Sequence, residues 1–139
     1  MDRFGSAHWN GDIGHGHGTV STQSGAVDQL RYAFLTRFGE QPGTNPEELI
    51  GAAHAACFAM ALSNALTAAG FIPDSLDTKS IVTIEKDGPS FSIKGIHLSV
   101  SAAVPGIDRQ SFLKIAEEAR VGCPVSRVFK APITFEVTF

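Results

Sequence analysis

The sequence predicts an α+β domain in which largely antiparallel sheet packs on a long central helix and a second, shorter one. Three observations carry that reading. The N-terminal third holds short alternating runs broken by glycine, and no Asp, Glu, Lys or Arg occurs from Leu49 to Pro73. The element order, strands then helix then hairpin then helix then strand, groups strands together instead of repeating βα units. A chain of 139 residues is enough for one core, so residues 1–139 are read as a single domain.

The first strands are expected at 7–12, 18–24 and 31–36, a meander with a glycine-rich turn over 11–18. A polar linker, 39–46, leads to a helix start in which Asn45 caps, Pro46 takes the first position and Glu48 follows three residues after the cap. That helix, 46–69, spans roughly 36 Å at 1.5 Å per residue, and Gly70 stops it. Residues 76–86 and 91–104 alternate as a hairpin around Asp87-Gly88-Pro89. The side-chain parity changes between Ile93 and Ile96, which predicts a bulge at Gly95. Asp108 caps a second helix running to Val121, with Phe112, Ile115, Ala116 and Ala119 on one face. After Gly122, Cys123-Pro124 opens a helical turn, and Ile133, Phe135, Val137 and Phe139 alternate as a last strand.

Composition excludes several classes of function. With 43% hydrophobic and 18% charged residues the chain is neither disordered nor fibrous. Eleven basic against fourteen acidic residues, net −3, leave no positive field for nucleic acid or anionic lipid. The apolar stretch 49–73 is long enough to raise a membrane reading. Its alanines, its His54, Ser63, Asn64 and Thr67, and the lack of a basic flank favour a buried central helix instead. Two cysteines 66 positions apart make no disulfide framework, and no leader-type segment opens the chain, so the expected compartment is the cytoplasm with both thiols reduced.

The two cysteines are the candidates for chemistry. Cys57, on an apolar helix, reads by itself as a buried core thiol. Cys123 precedes a proline that starts a helical turn, where free backbone N–H groups favour the thiolate. Together they can form a redox couple: one thiolate attacks an oxidant, becomes a sulfenic acid, and is captured by the other as a disulfide. The attacking thiolate needs a cation to lower its pKa and a carboxylate to hold that cation. Arg37 and Glu47 are the candidates, against plainer readings as a surface charge and a helix-dipole partner.

His54 stands one turn before Cys57, so a Cys-His pair is geometrically possible, although a hydrogen-bonded core histidine is the plainer reading. The run Gly14-His15-Gly16-His17-Gly18 invites a metal reading with the cysteines, but it lacks the paired spacing of structural zinc motifs. Its glycines also lead into a strand, Thr19-Val20-Ser21, where a dinucleotide loop requires a helix. No metal or cofactor is expected.

Two segments, Gly43-Thr44-Asn45-Pro46-Glu47-Glu48-Leu49-Ile50-Gly51-Ala52-Ala53-His54-Ala55-Ala56-Cys57-Phe58 and Gly122-Cys123-Pro124-Val125-Ser126, closely resemble the two cysteine motifs of the OsmC/Ohr family of thiol peroxidases. His8-Trp9-Asn10-Gly11-Asp12, Gly18-Thr19-Val20-Ser21-Thr22 and Val104-Pro105-Gly106-Ile107-Asp108 are similar to its osmotically inducible, OsmC branch. The resemblance implies an intertwined homodimer with two interface active sites, in which Cys57 attacks organic hydroperoxides and Cys123 resolves. It carries over Glu47 and, from the segment the OsmC branch uses, Arg37. The hydroperoxide-resistance branch draws its arginine from the glycine-rich loop, where this chain has His15 and His17. The resemblance also implies a dithiol reductant such as a lipoylated protein.

The expected function is reduction of organic hydroperoxides, and less well hydrogen peroxide, in oxidative or osmotic stress. The apolar residues near Cys57, including Phe58 and Met60, suit an alkyl group. The alternatives are a noncatalytic stress protein that binds small hydrophobic ligands in an interface pocket and, more distantly, a zinc-dependent hydrolase. Helix geometry adds one expectation. Glu47 and Cys57, ten positions apart on a straight helix, are separated by roughly 15 Å along the axis and about 80° around it. For Glu47 to hold an arginine against a Cys57 thiolate, that thiolate must belong to another subunit.

Overall fold

The alternation at the start of the chain forms a three-stranded antiparallel sheet in the order β1-β2-β3, with β1 at Gly5–Asn10, β2 at His17–Thr22 and β3 at Leu30–Tyr32. This comes from a computed structural model that describes residues 1–139. The chain divides into two compact units, Met1–Leu49 and Ile50–Phe139.

In the first unit, Trp9 faces Gly18 across the ladder and its ring lies 5.4 Å from that of Tyr32. A Cβ at Gly18 would stand 2.6 Å from the Tyr32 ring, so only glycine lets the aromatic close over β2. The expected strand over 31–36 is corrected: β3 stops at Tyr32, and Phe34–Phe38 is a short helix, α1. The reason is periodicity, because Phe34 and Phe38 are four apart and their rings meet at 5.0 Å. The Ala33 N–H donates to Thr36 Oγ1 at 2.8 Å, which fixes the helix start.

The linker is tied back to this unit. The Thr44 N–H donates to the Arg31 carbonyl at 2.9 Å, and the Thr36 hydroxyl donates to the Thr44 carbonyl at 2.8 Å. The long helix α2, Pro46–Ala68, then starts as its sequence dictates. Asn45 Oδ1 accepts from the Glu48 N–H at 2.9 Å, and Glu47 and Glu48 occupy the first turn, where negative charge suits the helix dipole.

In the second unit, Phe58, Leu62 and Leu66 recur every four residues along α2 and are fully buried. They pack with Leu98, Val100, Phe112 and Ala116 in one core. Each such large side chain contributes roughly 1.5–3 kcal/mol by leaving water. By length and composition alone α2 could cross a membrane; its Phe58-Leu62-Leu66 stripe belongs to this core.

The hairpin comprises β4, Ser75–Asp87, and β5, Ser90–Ala103, and β6, Ile133–Thr138, adds in parallel on the far side of β5. The sheet is thus largely antiparallel, in the order β4-β5-β6. The predicted irregularity is present one residue earlier than expected: Thr83 pairs with Gly95 and Ile84 with Ile93, which leaves Lys94 as the extra residue. Helix α3, Arg109–Gly122, is capped by Asp108, whose side chain accepts from the Ser111 N–H at 3.0 Å. Its Phe112, Ala116 and Ala119 are buried, and the Phe112 ring stacks on Phe139 at 4.4 Å. A 3-10 turn, Ser126–Val128, follows Cys123.

Candidate active site

Cys57, in the middle of α2, and Cys123, just past the end of α3, are brought together with 3.3 Å between their sulfurs. Both are free thiols. They differ in access: Cys123 is fully buried, whereas Cys57 is only half-buried. The plainer reading of Cys57 as a sealed core thiol is therefore not what the fold shows.

Their electrostatics also differ. Burial pushes the Cys57 thiol above its ordinary value, the neighbouring Cys123 adds to that, and the Val125 N–H opposes it. At Cys123 burial also acts upward, but the N–H and hydroxyl of Ser126, the Cys57 thiol and the Val125 N–H together outweigh it, so its pKa is lowered. The cause is local: the chain turns after Pro124, and the first N–H groups of that turn have no helical partner and point at the sulfur.

His54 does not pair with Cys57. It is fully buried and held at both ring nitrogens, Nδ1 at 2.8 Å from Ser80 Oγ of β4 and Nε2 at 2.8 Å from Ser126 Oγ. The Phe129 ring stands edge-on to the imidazole at 5.1 Å. Burial alone lowers the His54 pKa, so the ring is neutral near pH 7. Ser80 and Ser126 are the members of this cluster to which the sequence reading gave no part. Ser126 carried a signal, since a hydroxyl three residues after a cysteine in a helical turn can fold back on the thiol. Ser80 carried none, being one polar residue on an alternating strand.

In the first unit, Arg37 of α1 and Glu47 of α2 form a two-nitrogen ion pair. Nη2 donates to Oε1 at 2.6 Å, and Nε donates to Oε2 at 3.0 Å and to Oε1 at 3.2 Å. Glu47 is nearly buried, while the Arg37 side chain keeps 34% of its exposure. The guanidinium carbon also lies 5.1 Å from the Phe38 ring centroid. The loop histidine His15 is taken up by Asp12, with Nδ1 3.1 Å from Oδ1. Nowhere do three or more His, Cys, Asp or Glu side chains gather as a metal site.

The model of the OsmC-like protein family matches residues 39–138, which takes in Glu47, Cys57 and Cys123 and begins two positions after Arg37. The chain belongs to the OsmC-like family. It is 56% identical over 136 residues to the Peroxiredoxin OsmC of Escherichia coli, covering 98% of this chain and 95% of that one. It is 32% identical over 101 residues to an organic hydroperoxide resistance protein of Xanthomonas axonopodis pv. citri, covering 69% and 66%. Among solved structures, an OsmC organic hydroperoxide resistance protein of Legionella pneumophila matches with a TM-score of 0.80 at 23% identity, over 100% of this chain and 98% of that one. The organic hydroperoxide resistance protein OhrB of Bacillus subtilis matches with a TM-score of 0.74 at 23% identity, over 97% and 98%. At that identity the two structures share the OsmC-like fold with this chain.

Proposed function

We propose that this OsmC-like protein is a thiol peroxidase that reduces organic hydroperoxides, and hydrogen peroxide less well, in oxidative and osmotic stress defence. The observation that carries the reading is the thiol pair: two free sulfurs 3.3 Å apart, one open to a small molecule and one sealed behind it. The peroxiredoxin named at 56% identity over nearly the whole chain supports it.

The Cys57 thiolate attacks one peroxide oxygen. An S–O bond forms, the O–O bond breaks, and the alkoxide leaves as the alcohol after taking a proton, so that Cys57 becomes a sulfenic acid. Cys123 then attacks the Cys57 sulfur, forming the disulfide and releasing water. The sulfurs need to close by only about 1.3 Å from their present 3.3 Å to reach the bonded distance of about 2.05 Å. A dithiol reductant, such as a lipoylated protein, returns both cysteines to thiols and leaves as its own disulfide. No cofactor enters the cycle.

Burial raises the Cys57 pKa, so the attacking thiolate needs a cation beside it. Arg37, aligned by Glu47, is the cation we assign. Glu47 and Cys57 are ten positions apart on one helix, so we assign each Arg37–Glu47 pair to the Cys57 of a second copy, in a homodimer with two composite sites. Residues 1–139 then act as one functional domain in the cytoplasm.

The noncatalytic alternative leaves the thiol pair without a role. An apolar recess lined by Val20, Tyr32, Pro46 and Leu49 has about 200 Å³, less than the ~300 Å³ at which ligand pockets usually begin. Mass spectrometry after one equivalent of cumene hydroperoxide separates the readings. The enzyme yields a Cys57–Cys123 disulfide in the parent, sulfenic acid on Cys57 in Cys123→Ser, and no peroxide consumption in Cys57→Ser. Unchanged thiols in the parent favour the binder.

A further inference from the structure

Resolution requires a proton to leave Cys123 as its sulfur attacks. When Cys123 attacks the sulfenic acid, its thiol hydrogen has to leave a sulfur that is fully buried. A chain of hydrogen bonds begins beside that sulfur, at Ser126 in the turn that follows it. The Ser126 hydroxyl is near enough to Cys123 to favour its thiolate, Ser126 Oγ lies 2.8 Å from His54 Nε2, and His54 Nδ1 lies 2.8 Å from Ser80 Oγ. Ser126 and His54 are both buried, whereas Ser80 is half-buried on β4, so the chain runs from the sealed thiol outward.

We propose that Ser126, His54 and Ser80 form a proton relay for the resolving thiol, with Ser126 in contact with the reacting sulfur and His54 and Ser80 as positioning residues behind it. This rests on the reading of Cys123 as the thiol that closes the disulfide.

The relay works from one tautomer. With Nδ1–H donating to Ser80 Oγ, Nε2 is free to accept from the Ser126 hydroxyl, and Ser126 Oγ can accept from the Cys123 thiol. As the S–S bond forms and the S–O bond of the Cys57 sulfenic acid breaks, the Cys123 proton moves to Ser126 Oγ. The Ser126 proton moves to His54 Nε2, and the Nδ1 proton passes by Ser80 to water. The departing hydroxide takes one proton from solvent, so the sum is sulfenic acid plus thiol giving disulfide plus water. Cys57 is reduced by one electron and Cys123 is oxidised by one. The ring ends with its proton on Nε2, directed at Ser126, ready to return it when a reductant releases Cys123 as a thiolate.

The surroundings favour this use of the ring. Ser80 from β4, Ser126 from the 3-10 turn and Phe129 after it are the groups against the imidazole, and none carries charge. The titratable thiol at the end of the chain is Cys123, whose sulfur lies 3.3 Å from that of Cys57. A neutral ring, which burial favours, is the form able to take a proton.

Rapid-quench single turnovers with cumene hydroperoxide test the relay, reading sulfenic acid on Cys57 and the Cys57–Cys123 disulfide separately from pH 5.5 to 9. Positioned acid–base groups typically contribute about 100-fold or more. Ser126→Ala should therefore slow disulfide formation by about that factor, and far more than it slows sulfenic acid formation. Its resolution rate should also become proportional to hydroxide concentration, and Ser126→Thr should restore most of the rate. His54→Gln should reproduce the Ser126→Ala profile. Equal slowing of both steps, or an unchanged pH profile in Ser126→Ala, overturns the relay and leaves the peroxidase reading standing. Absence of both products in the parent protein overturns the peroxidase reading itself. The parent also gives a check that needs no variant: heavy water should slow disulfide formation, and an equal rate in light and heavy water overturns the relay.

Discussion

Arg37 grips Glu47 through Nε and Nη2, with the closest contact at 2.6 Å, across ten positions of sequence that include the polar linker. One member is nearly buried and the other is partly open. A fork held on one edge by a carboxylate has its orientation set before any substrate arrives, which a flexible ammonium group cannot match. Glu47 also sits in the first turn of α2, so its negative charge is favoured at that place even without the arginine.

Arg37→Ala should raise the Cys57 pKa further, because the cation we assign to its thiolate is gone. The peroxide rate constant at pH 7 should fall by about 10- to 1,000-fold with the loss of thiolate, and folding stability should fall as well, because the nearly buried Glu47 carboxylate loses its ion-pair partner. Arg37→Lys should recover only part of the rate. Thiol titration followed by thiolate absorbance, together with peroxide consumption, makes the measurement; parent-like values in Arg37→Ala would remove Arg37 from the site.

Mixed subunits test the second copy. Cys57→Ser and Glu47→Ala chains are each expected to be impaired as homodimers, but a heterodimer keeps one site with both groups native. Refolded mixtures should therefore exceed the activity of either parent variant. No gain, with heterodimers verified by native mass spectrometry, would mean that the site lies within one chain or that Glu47 has no part in it.

The buried imidazole predicts how stability depends on pH. Burial lowers the folded pKa of His54 below its ordinary 6.5, so the folded chain prefers the neutral ring. Above pH 6.5 the ring is neutral in both states and its contribution is fully present. As the pH falls below 6.5 the unfolded ring protonates first, and stability is lost until the pH has passed through the folded value. Urea midpoints at pH 7.5, 6.0 and 5.0 should therefore decline more steeply for the parent than for His54→Gln. The variant should be less stable at pH 7.5 by about 1–3 kcal/mol, because a buried hydroxyl loses a partner. Equal slopes would mean that His54 titrates alike in the folded and unfolded chain.

Local signals were the ones the sequence transmitted well. The α2 and α3 starts rest on caps contained within four residues, Asn45 to Glu48 and Asp108 to Ser111, and both were legible. The hairpin was legible from period-two alternation, and its bulge was off by one because the parity change leaves two adjacent residues, Lys94 and Gly95, as candidates. The third strand was overextended because a five-residue helix spans little more than one turn, too little for its period to show. The parallel pairing of β6 and the meeting of Cys57 with Cys123 are non-local, and no spacing encodes them. Ser80 was illegible for the same reason: it reaches His54 across 26 positions, and Gly51 lets the helix come that close, since a Cβ there would stand 2.7 Å from the Ser80 carbonyl.

The separation of the two cysteines along the chain has a thermodynamic side. A bond between Cys57 and Cys123, 66 positions apart, closes a ring that holds half of α2, the whole β4–β5 hairpin and α3. In the chain-entropy account, a ring of that size removes enough freedom from the unfolded ensemble to favour the fold by about 4 kcal/mol. Oxidation would then harden this protein against heat and proteolysis at the moment it has spent its reducing power. The same ring entropy favours reopening only in the unfolded chain; in the fold, where the sulfurs are already neighbours, a dithiol meets a bond whose two ends stay close after it is cut. Reduction and re-oxidation can therefore alternate without any large excursion of the backbone.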